Sequence, residues 1–287
     1  MTLSNLTRSD LANYSKARLT RIVINRWPSI VEAAKLSPLA ERRALSALPS
    51  STINILGSSH KVELGADVGV LSAVAYLAPA HELFGEEDRR TTCPNATPEC
   101  IAVCLGKYWG QMIFSSGERS RVWKTALRFG APELFRALVI AELRALSRKA
   151  HKLGVIPAAR LDGSSDLGDG QKLARELAKS ESEELRRVMF WDYTKSIARV
   201  RRAQREALAN YSLSFSFSGE NFAGVAEAIA LGAPVAVVFD TAKGEELPEM
   251  FADLPVVNGD AHDAIWLDRS TLGAPSSGAY ARGLRLK

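Results

Sequence analysis

The chain has 287 residues, 46% hydrophobic and 24% charged, with a formal charge of +5 and a pI near 9.1. That length and balance allow a substantial core and suit one large α/β domain or two small ones, with no linker to separate two halves. Only three cysteines are present, Cys93, Cys100 and Cys104, an odd number within twelve positions, which excludes a disulfide framework.

The opening residues mix hydroxyl and charged side chains and lack the apolar run of a signal peptide or membrane span, so the expected place is the cytoplasm. Residues 1–50 carry helical patterning and read as an N-terminal helical extension. From residue 51 to 287 the pattern becomes that of an α/β domain. "GVLSAVAYLAP" (69–79) is a near-continuous apolar run, as a buried strand presents. "TPECIAVCLGKYWGQM" reads as a helix with Pro98 in its first turn, which puts Cys100 and Cys104 four apart on one face and leaves Cys93 in the loop ahead.

Strand and helix then alternate. "VIPAARLDG" (155–163), "RVMFWDYT" (187–194), "YSLSFSFSG" (211–219), "PVAVVFD" (234–240) and "AIWLDR" (264–269) read as strands. "GQKLARELAKSESEELR", "SIARVRRAQREALA" and "ENFAGVAEAIALG" read as the helices between the middle four. With the strand before the cysteines this makes about six, short of the eight of a full barrel. The fold expected is a partial TIM-like (βα)6 barrel with parallel strands.

Polar residues gather where these strands end: Arg160 and Asp162, then Asp192, Tyr193 and Lys195, then Ser216 and Ser218, then Asp240. Ligands and catalysis occupy that edge in parallel α/β folds, so Arg160, Asp162, Asp192, Tyr193 and Lys195 are the candidate catalytic residues. Ser216, Ser218, Asp240 and Asp260 are candidates for substrate binding. So are Arg119, Arg121 and Lys124, which follow the cysteine helix as a basic group with Arg128. A second basic group, Arg199, Arg201, Arg202 and Arg205, fits a phosphate-binding surface or a solvated helix face. Asp162, Asp166, Asp192, Asp240, Asp260, Asp263 and Asp268 could hold Mg2+ or Mn2+ if several converge, or cap turns and helices if they do not. No G-x-S-x-G elbow, Walker loop or G-x-G-x-x-G occurs, which argues against hydrolase triads, P-loop NTPases and Rossmann dehydrogenases.

Three thiolates on a loop and helix at that edge could hold three irons of a [4Fe-4S] cluster and leave the fourth open. Zinc is the alternative, with His60, His81 or His262 as fourth ligand. The third possibility is that Cys100 and Cys104 are buried helix residues and Cys93 is incidental.

In order and position the cysteines resemble those of the radical S-adenosylmethionine enzymes, whose partial barrel carries three cysteines after its first strand. The spacing here is C-x6-C-x3-C. The resemblance implies S-adenosylmethionine as a second cofactor. A wider resemblance lies in "CPNATPECIAVCL", "RSRVWKT", "RLDGSSD", "FWDYTK", "YSLSFS", "VAVVFD" and "VNGDAHDAIWLD", which look like the phage and plasmid proteins grouped as the gene-product-eighty-eight family, over roughly residues 50–287. It implies a mobile-element origin and a link to replication. Two functions are therefore expected as alternatives. One is an iron-sulfur enzyme acting on a small-molecule or nucleic-acid substrate at the barrel rim. The other is a nucleic-acid-binding or nicking protein with a structural metal site. A membrane partner is not expected.

Overall fold

The computed structural model describes residues 8–58, 63–85, 88–104 and 114–285. Four helices come first: α1 (Arg8–Ala12), α2 (Lys16–Asn25), α3 (Trp27–Ala34) and α4 (Pro38–Ala47). Ser15 and Ser37 cap α2 and α4, each hydroxyl accepting a backbone N–H three residues on, and Pro38 occupies the first turn of α4. Short strand β1 (Leu56–Gly57) and a 3-10 turn (Leu64–Val68) lead to β2 (Val70–Ala75).

The cysteine helix α5 covers only Pro98–Ala102, capped by Thr97. The expected longer helix is not formed: the backbone leaves helical geometry at Val103, so Cys104 lies beyond its end, and residues 105–113 lie outside the described residues. Two long helices follow, α6 (Ser115–Gly130) and α7 (Pro132–Leu153), the latter closed by Gly154 in the left-handed region. The remainder is β3 (Ile156–Arg160), α8 (Asp169–Leu177), α9 (Glu183–Arg186), β4 (Met189–Thr194), α10 (Ile197–Glu206), β5 (Tyr211–Ser216), α11 (Phe222–Ala230), β6 (Val235–Phe239), β7 (Met250–Phe251), β8 (Leu254–Asn258), α12 (Asp268–Thr271) and β9 (Ala281–Arg285).

The strands form one nine-stranded sheet in the order β1-β2-β3-β4-β5-β6-β9-β8-β7. Only the outermost pairs, β1 with β2 and β7 with β8, are antiparallel. The sheet ends at β1 and β7 and is open, not a closed barrel. Between β2 and β6 spatial order follows chain order, so the ends of β3, β4, β5 and β6 stand side by side at one rim, as the βα alternation expects. The expected strand at 264–269 is instead a 3-10 turn (Ile265–Leu267) running into α12. Its apolar run is too short to continue a ladder, and Asp268 opens the helix. The strand that pairs with β6 is β9, in a Gly- and Ser-rich stretch with no apolar run to announce it.

One apolar core extends from Leu11 of α1 to Ala281 of β9, uniting the N-terminal helices, α6, α7 and one face of the sheet. Gly130 permits the closest approach: a Cβ there would stand 1.9 Å from the Ile30 carbonyl oxygen, so α3 and α6 touch backbone to backbone. A second apolar cluster, Val70, Val74, Ala158, Trp191, Ala264 and Ile265, covers the opposite face. The two faces follow from strand alternation: Phe190 is in the first core, Trp191 in the second. Among the described residues no helix is long and apolar enough to cross a membrane.

Candidate functional site

Consecutive strand residues point to opposite faces, and this divides the strand-end residues into two groups. On the helix-covered face lies a closed network of charges. Asp162 is fully buried and accepts from the Leu167 and Gly168 amides at 3.0 and 2.9 Å and from the Ser165 hydroxyl at 2.9 Å, which fixes the turn after β3. Asp192, also fully buried, is bound by Arg199 of α10 at 3.0 Å and by the Tyr211 hydroxyl at 3.1 Å. Asp166 accepts from Thr194 Oγ1, the Lys195 amide and Arg199. Arg199 also lies 3.6 Å from Asp162.

One guanidinium thus serves three carboxylates. Burial, with the neighbouring Asp162 carboxylate, raises Asp192 to about 7 despite Arg199, and burial raises Asp162 as well. The site leaves no spare volume: a Cβ on Gly170, in the first turn of α8, would sit 2.6 Å from Asp192 Oδ2. Asp162 and Asp192, expected as catalytic, here tie the rim together, and one Asp192 oxygen, Oδ1, is buried with no hydrogen-bond partner.

The opposite, inner face carries Arg160, Tyr193, Lys195 and Ser216. The ladders pair Val74 with Arg160, Tyr193 with Ser214 and Ser216 with Ala236, so these positions share a side. The Arg160 guanidinium lies over the Tyr193 ring, 4.8 Å from its centroid, and donates to the Asp162 carbonyl at 3.1 Å. Lys195 Nζ reaches Ser216 Oγ at 3.4 Å, not Asp192 or Asp162. Both cations are half-buried, and neither has a carboxylate partner among the described residues. Tyr193 accepts from Arg282 Nη1 at 3.0 Å and donates to Asp263 at 3.3 Å, and burial holds its hydroxyl far above the usual phenol range. Arg282 of β9 is fully buried and pairs with Asp268 at 3.1 Å, while Tyr280 donates to the same carboxylate at 2.9 Å.

The remaining candidates lie elsewhere. Asp240 is exposed past β6, and Asp260 pairs with Arg285 at 3.2 Å near β8. Ser218 Oγ is buried, and its backbone N–H is taken by Asn221. Arg119 donates to the Ser46 carbonyl at 3.0 Å, on the outside of α6. Arg121 and Lys124 are buried within α6's packing, and burial lowers Lys124 to about 8. Of the second basic group, Arg199 is consumed in the buried network and Arg201 pairs with Glu227.

The cysteine segment does fold over this rim. Thr92 donates to the Ala78 carbonyl at 2.7 Å and its own carbonyl accepts the Asp166 amide at 2.7 Å, locking the loop after β2 onto the loop after β3. The thiols do not gather, however. Cys93 Sγ turns to the Ser164 carbonyl at 3.6 Å, Cys100 is on α5 and Cys104 beyond it. Burial pushes the Cys93 thiol up to about 11, and the Cys104 thiol adds to the rise. Among the described residues no three His, Cys, Asp or Glu side chains stand together as a metal site. His81 Nδ1 is 3.0 Å from the Arg90 carbonyl, His262 Nε2 is 2.8 Å from Thr271 Oγ1, and His60 lies outside the described residues. As placed among the described residues, neither the thiols nor the carboxylates form a group of metal ligands.

Sequence reasoning does not find Arg282, whose short strand has no pattern of its own, or the central part of Arg199. The one available signal is the alternation of serines at 212, 214 and 216, which marks a polar inner face on β5. The family model described as gene product 88 matches residues 52–284. No curated protein and no solved structure matches the chain.

Proposed function

Because the chain belongs to the gene product 88 family, whose name carries no activity, we propose a function from its own residues: the inner face at the strand ends binds an anionic small molecule. The observation that carries this reading is the pair of half-buried cations, Arg160 and Lys195, without carboxylate partners and beside the Ser216 and Tyr193 hydroxyls. Leaving cations partly desolvated and unpaired is costly, and a carboxylate or phosphate placed between them removes that cost. The stacked Arg160 presents a planar fork, while Lys195 adds a point charge.

The reading includes a partial barrel. Neighbouring strands lie about 4.8 Å apart, so β4 and β9, three steps apart, would be roughly 14 Å apart in a flat sheet. The 3.0 Å contact between Arg282 and Tyr193, passing over the small residues of β5 and β6, supports a sheet curled inward around this face. The 261–272 segment, with Asp263, Ile265 and Trp266, lies over its interior.

S-adenosylmethionine, through its carboxylate, belongs to the ligand class in question, as do phosphate and pyrophosphate. Calorimetric titration with each of the three tests the reading. A ligand at about 100 times its Kd stabilises the fold by about 2.7 kcal/mol. Arg160→Ala and Lys195→Ala should each weaken binding at least tenfold, and Asp192→Asn should leave it within threefold. Failure of all three compounds to bind, or binding by both alanine variants as tight as by the unchanged protein, sinks the proposal. Iron and zinc content of anaerobically purified protein, measured alongside, decides whether Cys93, Cys100 and Cys104 ever gather around a metal.

A further inference from the structure

The net charge is concentrated at one end of the molecule. Residues 1–50 hold eight Lys and Arg against three Asp and Glu, a net of +5, which is the whole excess of the chain. Residues 51–287 hold twenty-nine of each. The division falls where the family match begins, at residue 52, so the chain from there on is neutral and the segment before it is basic.

The basic segment does not neutralise itself internally. Arg8, Lys16 and Arg43 are in ion pairs with Glu133, Glu142 and Glu118, all from the neutral part. Arg18, Arg21, Arg26, Lys35 and Arg42 have no carboxylate partner among the described residues. Two of these, Arg18 and Arg21, are on α2, and Arg26 caps its end. Ser15, Arg18, Arg21 and Asn25 line one concave surface with Ile22, at the three- and four-residue spacing that puts side chains on one helix face, and Arg26 completes it at the helix end. Arg18 is stacked on the Tyr14 ring, 3.6 Å from its centroid, so its guanidinium is ordered before any partner arrives. The apolar side of α2, Leu19 and Val23, is spent in the core.

We propose that this face of α2, with Arg18, Arg21 and Arg26, docks the phosphate backbone of a nucleic acid. Positive charge without local carboxylates is what a polyphosphate selects, because each neutralised phosphate releases a condensed counterion. An anionic bilayer is the poorer fit, since a helix lying on a membrane needs several large exposed apolar side chains beside its cations and α2 offers only the half-buried Ile22 and Ile24. The two basic groups prominent in the sequence are not this surface: Arg121, Lys124 and Arg199 are buried.

The test is fluorescence anisotropy with a labelled duplex DNA of about 20 bp, and in parallel a single-stranded RNA of similar length, across a salt series. The full chain should bind at least one of them, with log K falling linearly with log salt. Arg18→Ala with Arg21→Ala should weaken binding at least tenfold and, on duplex DNA, reduce the slope by about 1.8, two phosphate contacts at about 0.9 each. Both positions are exposed, so this double variant keeps its circular dichroism and melting temperature. Arg202→Ala with Arg205→Ala, exposed on α10, should bind within twofold of the unchanged protein. Absence of binding at about 50 mM salt, equal affinity of the Arg18/Arg21 variant, or binding to phosphatidylserine vesicles with none to either nucleic acid overturns the proposal.

Discussion

Asp192 and Tyr193 are neighbours in sequence and belong to different environments. On the side of Asp192, carboxylates outnumber cations, every charge is enclosed, and a glycine is required to let α8 close over the carboxylate. On the side of Tyr193, Arg160 and Lys195 are half-buried and lack acidic partners. The first arrangement spends its charges on tying loops and helices to the rim, and the second leaves charge available. Charged residues crowding the ends of parallel strands are therefore two populations, and only the face tells them apart.

The largest effect expected from breaking this contrast is on the enclosed side. Arg199→Ala leaves Asp162, Asp166 and Asp192 without their cation and should destabilise the fold by about 3–5 kcal/mol, read from the urea midpoint. A loss below about 1 kcal/mol would mean that water already reaches the network.

Next in size is a pH effect. Asp192 titrates near 7 in the folded chain and near 3.9 when unfolded, so the folded state holds the extra proton between those values. Stability should be full below about pH 4 for this group and fall as pH rises through about 7. Between pH 5 and pH 8 the loss should be about 2.6 kcal/mol, and Asp192→Asn should flatten it. A profile unchanged by that substitution would assign the proton elsewhere.

Lys124 sharpens the comparison as a buried cation with no ion pair among the described residues. Burial lowers it to about 8, against the more distant Glu142 carboxylate, so its contribution is complete above about pH 10 and is lost as pH falls through about 8. Lys124→Met should raise stability at pH 7 by about 1 kcal/mol, with the gain vanishing towards pH 10. A destabilised Lys124→Met at pH 7 would show that the ammonium is held by something it needs. The smallest stability effect belongs to the inner face: Arg160→Ala and Lys195→Ala should each cost under about 1 kcal/mol in a melt while abolishing anion binding.

Much of the fold was legible in local pattern. The apolar runs at 69–79, 155–163, 187–194, 211–219 and 234–240 each contain a parallel strand, and Ser, Thr, Pro and Gly mark several helix ends. Two errors came from stretches with little pattern. "AIWLDR" has apolar residues because Ile265 packs beside Trp191, not because it is a strand. β9 is a strand because β6 and β8 flank it on both sides, although "ARGLR" has none of the usual signs.

What the sequence determined by itself was the βα alternation, the family motifs, the gathering of polar residues at one rim and the net charge, since composition and short-range periodicity carry these. The tertiary structure alone decided which face each residue meets. A period of two sends Asp192 and Tyr193 apart, but only the packing of α8 and α10 against one side makes that side closed. It also decided that Arg282 reaches Tyr193 from across the sheet and that, among the described residues, Arg18 and Arg21 of α2 stay without carboxylate partners. Contacts between distant segments depend on how helices cross and where loops end, and no window of neighbouring residues contains that information.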